Sequence, residues 1–126
     1  MGLDMFAWVV EGKLPSDVDF VPNELKELQH NELHYWRKHP NLHGWMEALY
    51  REKGGSQDAF NCSPVELNAD DLGRLEHDVK SKNLPHTEGF FFGQSDGSEL
   101  EEDLHFIKKA RKAIADGHSV FYDSWW

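Results

Sequence analysis

Two histidines, an arginine and a glutamate stand close together in Trp36-Arg37-Lys38-His39-Pro40-Asn41-Leu42-His43-Gly44-Trp45-Met46-Glu47. His43 and Glu47 are four residues apart. On a helix that spacing puts two metal ligands on one face. With His39, or with His34 just upstream, they form a candidate set for a divalent metal. Arg37 could grip a phosphate with two parallel hydrogen bonds, Trp36 could offer a stacking face, and His43 could move a proton. His43, Arg37 and Glu47 are therefore the candidate catalytic residues. His39, His43 and Glu47 are the candidate metal ligands. The chemistry they would serve is hydrolysis helped by a metal or directed at a nucleotide.

A plainer reading competes with each assignment and is preferred. Eight histidines in 126 residues produce such spacings by chance. Trp36 is large and apolar enough to be core, and Arg37 has many carboxylates to pair with. The segment His30-Asn31-Glu32-Leu33-His34 is near the zinc-protease pattern His-Glu-x-x-His, but its glutamate comes one place too late. No glycine-rich loop ending in Lys-Ser or Lys-Thr is present to cradle phosphates. Cys62 has no Cys–His–Asn partners in the pattern around it and reads as structural.

Two other groups stand out. Asp96, Glu99, Glu101, Glu102 and Asp103 put five carboxylates in eight residues. The start of a helix explains most of them, because carboxylates there oppose the positive end of the helix dipole. Phe90-Phe91-Phe92 and Trp125-Trp126 are apolar beyond ordinary need. Consecutive side chains of a strand point to opposite faces, so three phenylalanines cannot share one core. These groups either pack back within the chain or meet a partner, and Phe91, Trp125 and Trp126, with Trp36 and Arg37, are the candidate contacts with a partner.

The elements that must position these residues can be read in order. Leu3 to Val10 is a buried strand, followed by a loop from Gly12 to Pro22. Asn23 to His34 reads as a short helical turn and then an extended piece. Leu42, Trp45, Met46, Leu49 and Tyr50 recur at helical spacing over Pro40 to Lys53. Pro40 suits a first turn, and Gly54-Gly55 suits a stop. After a loop to Pro64, Val65-Glu66-Leu67 is a short strand. Asn68 and Asp71 then make a capping box for a helix carrying Leu72, Leu75 and Val79, ended by Asn83 and Pro85. Phe90 to Phe92 is a strand between Gly89 and Gly93. Ser98 and Glu101 make a second capping box. It opens a helix whose stripe is Leu100, Leu104, Ile107, Ala110 and Ile114, acidic at its start and basic at its end. Gly117 closes it, and Ser119 to Tyr122 is a last strand running into Asp123-Ser124-Trp125-Trp126.

The sequence therefore predicts an α+β fold, about three amphipathic helices packed on a small sheet of about four strands, as one domain over residues 1–126. A chain of this length buries roughly two-thirds of its unfolded surface. The formal net charge of −10 argues against nucleic acid or an anionic membrane as partner and allows a basic one. No run of eighteen apolar residues predicts a membrane-spanning helix. A single cysteine and no basic leader before the first apolar residues point to the cytoplasm.

Several pieces together resemble a family of small, poorly characterised proteins encoded by tailed phages and prophages. They are Met1-Gly2-Leu3-Asp4-Met5, Tyr35-Trp36-Arg37-Lys38 followed by His43 and Trp45, Leu84-Pro85 with Gly89-Phe90-Phe91-Phe92-Gly93, and Phe121-Tyr122-Asp123-Ser124-Trp125. The family usually has Ala-Asn in place of His39-Pro40, so His39 stands outside the shared pattern. The resemblance implies a phage accessory protein that binds a host or phage protein, in host takeover or against a host defence. No particular activity goes with the resemblance, and the alternative stays a small metal- or nucleotide-dependent hydrolase with its site around Arg37, His43 and Glu47.

Overall fold

A computed structural model of the chain describes residues 2–14, 17–19, 30–87 and 99–126. The fold is α+β. In chain order its elements are β1 (Asp4–Glu11), β2 (His30–Arg37), α1 (Pro40–Glu52), β3 (Val65–Leu67), α2 (Ala69–Lys80), α3 (Leu100–Ala115) and β4 (His118–Trp125). The four strands form one antiparallel sheet in the order β2-β1-β4-β3. The helical turn expected before His30, the Phe90–Phe92 strand, and the roles assigned to Asp96, Phe91 and Ser98 all lie outside the described residues.

Strand alternation divides the sheet into two sides. Met5, Ala7, Val65, Leu67, Val120 and Tyr122 join Trp36 and the apolar faces of all three helices in the main core. Asp4, Phe6, Trp8 and Val10 alternate with them along β1, and Tyr35, Phe121, Asp123 and Trp125 lie opposite them in register. On this second side Val10 and Phe121 are buried, with Trp8 and Leu14 packed against them.

The helix α1 follows its sequence signals. Pro40 occupies the first turn, and Leu42, Trp45, Met46, Leu49 and Tyr50 are buried. It ends at Glu52 and not Lys53, and Gly54 then takes a φ of +93°, a conformation open to glycine at little cost. A Cβ on Gly44 would collide with Thr87, so this glycine lets the chain after α2 lie against α1. The start of α2 has the expected reciprocal cap, with Asn68 and Asp71 each accepting from the other's backbone N–H. Lys53 reaches the same Asp71 carboxylate at 2.6 Å and the Glu66 carbonyl at 2.7 Å, which ties the end of α1 to β3 and α2.

Three expectations need correction. The buried face of α3 is Asp103, Phe106, Ile107, Ala110 and Ala113, while Leu100, Leu104 and Ile114 are only half-buried at its edges. The helix is turned so that Phe106, the largest apolar group on it, and Asp103 point inward. The residue before the helix is Glu99, whose side chain makes no capping hydrogen bond. The last strand is also longer than expected. It pairs with β1 along its whole length, from His118 opposite Glu11 to Trp125 opposite Asp4.

Candidate functional site

On the helix side the polar residues meet in two buried clusters. His39 is the residue before α1, and its carbonyl accepts from the backbone N–H of His43 at 3.2 Å. Its ring reaches the first turn of α3, where Nε2 lies 2.9 Å from Asp103 Oδ2. The Trp36 indole donates to Asp103 Oδ1 at 3.1 Å. Asp103, Trp36 and His39 are 2%, 2% and 3% exposed, so no substrate reaches them. A carboxylate so far from water needs such partners, and here they join β2, α1 and α3 at one point.

His34 forms the outer edge of this cluster, its ring 4.4 Å from that of Trp36. Lys109 Nζ lies 3.1 Å from His34 Nδ1 and donates to the Leu33 carbonyl at 2.8 Å. An ammonium only donates, so Nδ1 accepts and Nε2 carries the proton, which it gives to Glu102 Oε1 at 3.0 Å. This neutral imidazole agrees with a pKa lowered chiefly by burial, against the pull of Glu102.

The second cluster is His43 with Tyr122. Nδ1 lies 2.6 Å from the Tyr122 hydroxyl, both residues are buried, and the rings of His43 and Phe60 are 4.9 Å apart. Burial lowers the His43 pKa to about 4, partly offset by a hydrogen bond to the Phe60 backbone. Burial raises that of Tyr122 well above its ordinary value. Both groups are therefore neutral at pH 7, and Tyr122 donates to the imidazole.

These positions disperse the residues that sequence spacing had grouped. Trp36 is buried among the helices, and Arg37, one residue on along a strand, points to the other side. His43 turns inward to Tyr122. Glu47 stays at the surface of α1, with Oε2 3.6 Å from Arg51. His39 is engaged by Asp103. Among the described residues no group of three or more His, Cys, Asp or Glu side chains is arranged to hold a metal ion. Arg37, His43 and Glu47 thus do not face a common site, and Trp36 presents no surface to a partner. Cys62 is exposed and sits in a turn with φ +57°, its N–H donating to the Ser124 carbonyl at 2.7 Å.

The other face of the sheet is different at its Trp125 end. Two rows cross β2, β1 and β4 in register. One is Arg37–Asp4–Trp125, and the other is Tyr35–Phe6–Asp123. The Tyr35 hydroxyl donates to Asp4 Oδ1 at 2.5 Å, and Arg37 Nε lies 3.9 Å from the same oxygen. The Phe6 ring lies 5.2 Å from Tyr35 and stacks on Trp8 at 5.9 Å. At its edge Tyr35 is 40% exposed and Trp125 is 66% exposed, the two large apolar side chains most open to solvent among the described residues. Burial raises the Asp123 pKa to about 6, against one hydrogen bond from the Ser124 N–H at 2.9 Å.

The two terminal tryptophans have opposite fates. Trp126 is held by Asn61, which accepts from its N–H at 3.0 Å and donates to its carbonyl at 2.8 Å. Its indole donates to the Phe60 carbonyl at 2.7 Å. Trp125 points the other way and is left in solvent. Sequence reasoning named Trp125 but missed Asp4, Phe6, Tyr35 and Asp123. The signal was available in the alternation of Asp4-Met5-Phe6 and of Asp123-Ser124-Trp125.

A groove of about 320 Å³ between α3 and the opposite end of the sheet holds Lys109, Lys112 and His118 beside Glu11 and Asp116. Its charges largely offset one another, and Lys109 is already engaged. No helix among the described residues is long and apolar enough to cross a membrane. No protein-family model, curated protein or solved structure matches the chain.

Proposed function

We propose that this chain is a small acidic binding protein of the phage-accessory kind its motifs resemble. It acts on a host or phage protein, in host takeover or against a host defence, through the Trp125 end of the sheet face opposite the three helices. The observation that carries this reading is Trp125. A large indole on a paired strand stands two-thirds in water while the next residue is pinned by three hydrogen bonds. Aromatic anchors of this kind dominate protein interfaces. The candidate catalytic group on the helix side, His43, is by contrast engaged by Tyr122 inside the core.

The test is site-directed photo-crosslinking in the bacterial host. A benzophenone side chain is placed at position 125 and, as control, at the exposed position 115 of α3. The expected result is one dominant protein adduct from position 125 and none of that mass from position 115. Equal labelling from both positions overturns the assignment of this surface.

A further inference from the structure

We propose that the Trp125 end of the sheet is a seat for an arginine side chain presented by a basic partner protein. This rests on the reading of the chain as a binding protein and names what the surface recognises.

The argument is one of shape and charge. Asp123 and Trp125 are two residues apart on the same face of β4, which places their Cα atoms about 7 Å apart. Asp4 lies opposite Trp125, and Phe6 opposite Asp123. The surface therefore offers an exposed indole, an aromatic floor and two carboxylates. One carboxylate is already used, since Asp4 accepts from Tyr35 and lies near Arg37. The other is not. Among the described residues the hydrogen bond to Asp123 comes from its own neighbour, Ser124, and goes to Oδ1. The second oxygen has acceptor capacity to spare.

A planar guanidinium matches both features at once. It can lie flat on the indole, attracted by the negative face of the ring, while an N–H edge meets the Asp123 carboxylate. A lysine ammonium would satisfy one of the two less well, because it is a compact point charge. A purely apolar partner would bury Asp123 without compensation. The formal net charge of −10 favours approach by a basic surface over long range.

The test is a titration of the isotope-labelled full chain, followed by NMR, with acetyl-Gly-Arg-Gly-amide and with the same peptide carrying neutral citrulline. The expected result is saturable movement of the Trp125 indole N–H and the Ser124 amide with the arginine peptide. The citrulline peptide should bind about tenfold more weakly, the loss of one charge-assisted contact. Asp123→Asn and Trp125→Ala should each weaken the arginine peptide by a similar factor. Glu101→Gln removes an equal charge from an exposed site on α3 and should change nothing. Equal binding of the citrulline peptide, or equal weakening by Glu101→Gln, overturns the seat. If the seat fails while the position-125 crosslink to one protein persists, the binding reading survives with a partner of other chemistry. If both fail, the binding reading falls too.

Discussion

The two sides of this sheet are built from the same strands and treat their polar groups in opposite ways. On the helix side Asp103 receives Trp36 and His39, and His43 receives Tyr122, all with almost no exposure. On the other side Asp123 is held, among the described residues, by one backbone N–H, and Trp125 is two-thirds exposed. The contrast follows from the cost of burial. Where water is excluded, an unpaired polar group costs several kcal/mol, so partners are fixed by the fold. Where water still reaches, acceptor capacity and apolar area can be left open for another molecule.

Mutations should separate the two sides. The largest effect is expected for Asp103→Ala, which strands the Trp36 N–H and the His39 ring inside the core. Urea unfolding should show a loss of about 3–5 kcal/mol. That is large against the 5–15 kcal/mol typical of a domain. A loss under about 1 kcal/mol would mean the cluster can open to water.

His43 gives the next effect, and it is read from pH. The unfolded imidazole takes a proton near pH 6.5, the folded one only near pH 4. Between those values the unfolded chain binds more protons, so stability is full above pH 6.5 and is lost as pH falls towards 4. The expected loss is about 3 kcal/mol, and it should vanish in His43→Phe, whatever that variant's overall stability. Trp126→Ala should cost about 2 kcal/mol in thermal or urea unfolding, because it removes packing and an indole hydrogen bond.

The opposite side should respond weakly or with the other sign. Asp123 titrates near pH 6 when folded and near 3.8 when unfolded. The folded chain holds that proton longer, so this group favours folding at low pH and lowers stability as pH rises from about 4 to 6. Asp123→Asn removes that burden and should raise stability at pH 7 by about 1 kcal/mol. Trp125→Ala should stay within about 0.5 kcal/mol of wild type. Stabilisation on removing a half-buried carboxylate is the signature of a group kept for something other than folding.

Much of the fold was legible because its signals are local. Pro40 with Gly54, the Asn68–Asp71 cap, and the spacing of Leu42, Trp45, Met46 and Leu49 each involve a few neighbouring residues. The helix-side cluster was not legible. Asp103 sits in an acidic first turn, where the dipole gives every carboxylate a surface explanation. Its inward turn depends on Trp36 and His39, more than sixty residues away. The Trp36–Arg37–His43 grouping failed for a reason the sequence did contain, since neighbours on a strand face apart. The patch around Trp125 was half legible. The two tryptophans were visible, but which one packs back depends on Asn61, a residue with nothing distinctive about it in the sequence.

The most direct measurement is native mass spectrometry of wild type and Trp125→Ala, each isolated gently from bacterial cells. Binding through the Trp125 end of the sheet requires a stoichiometric protein mass on wild type that is absent from the equally stable Trp125→Ala chain. The same mass on both chains, or none on either, contradicts it.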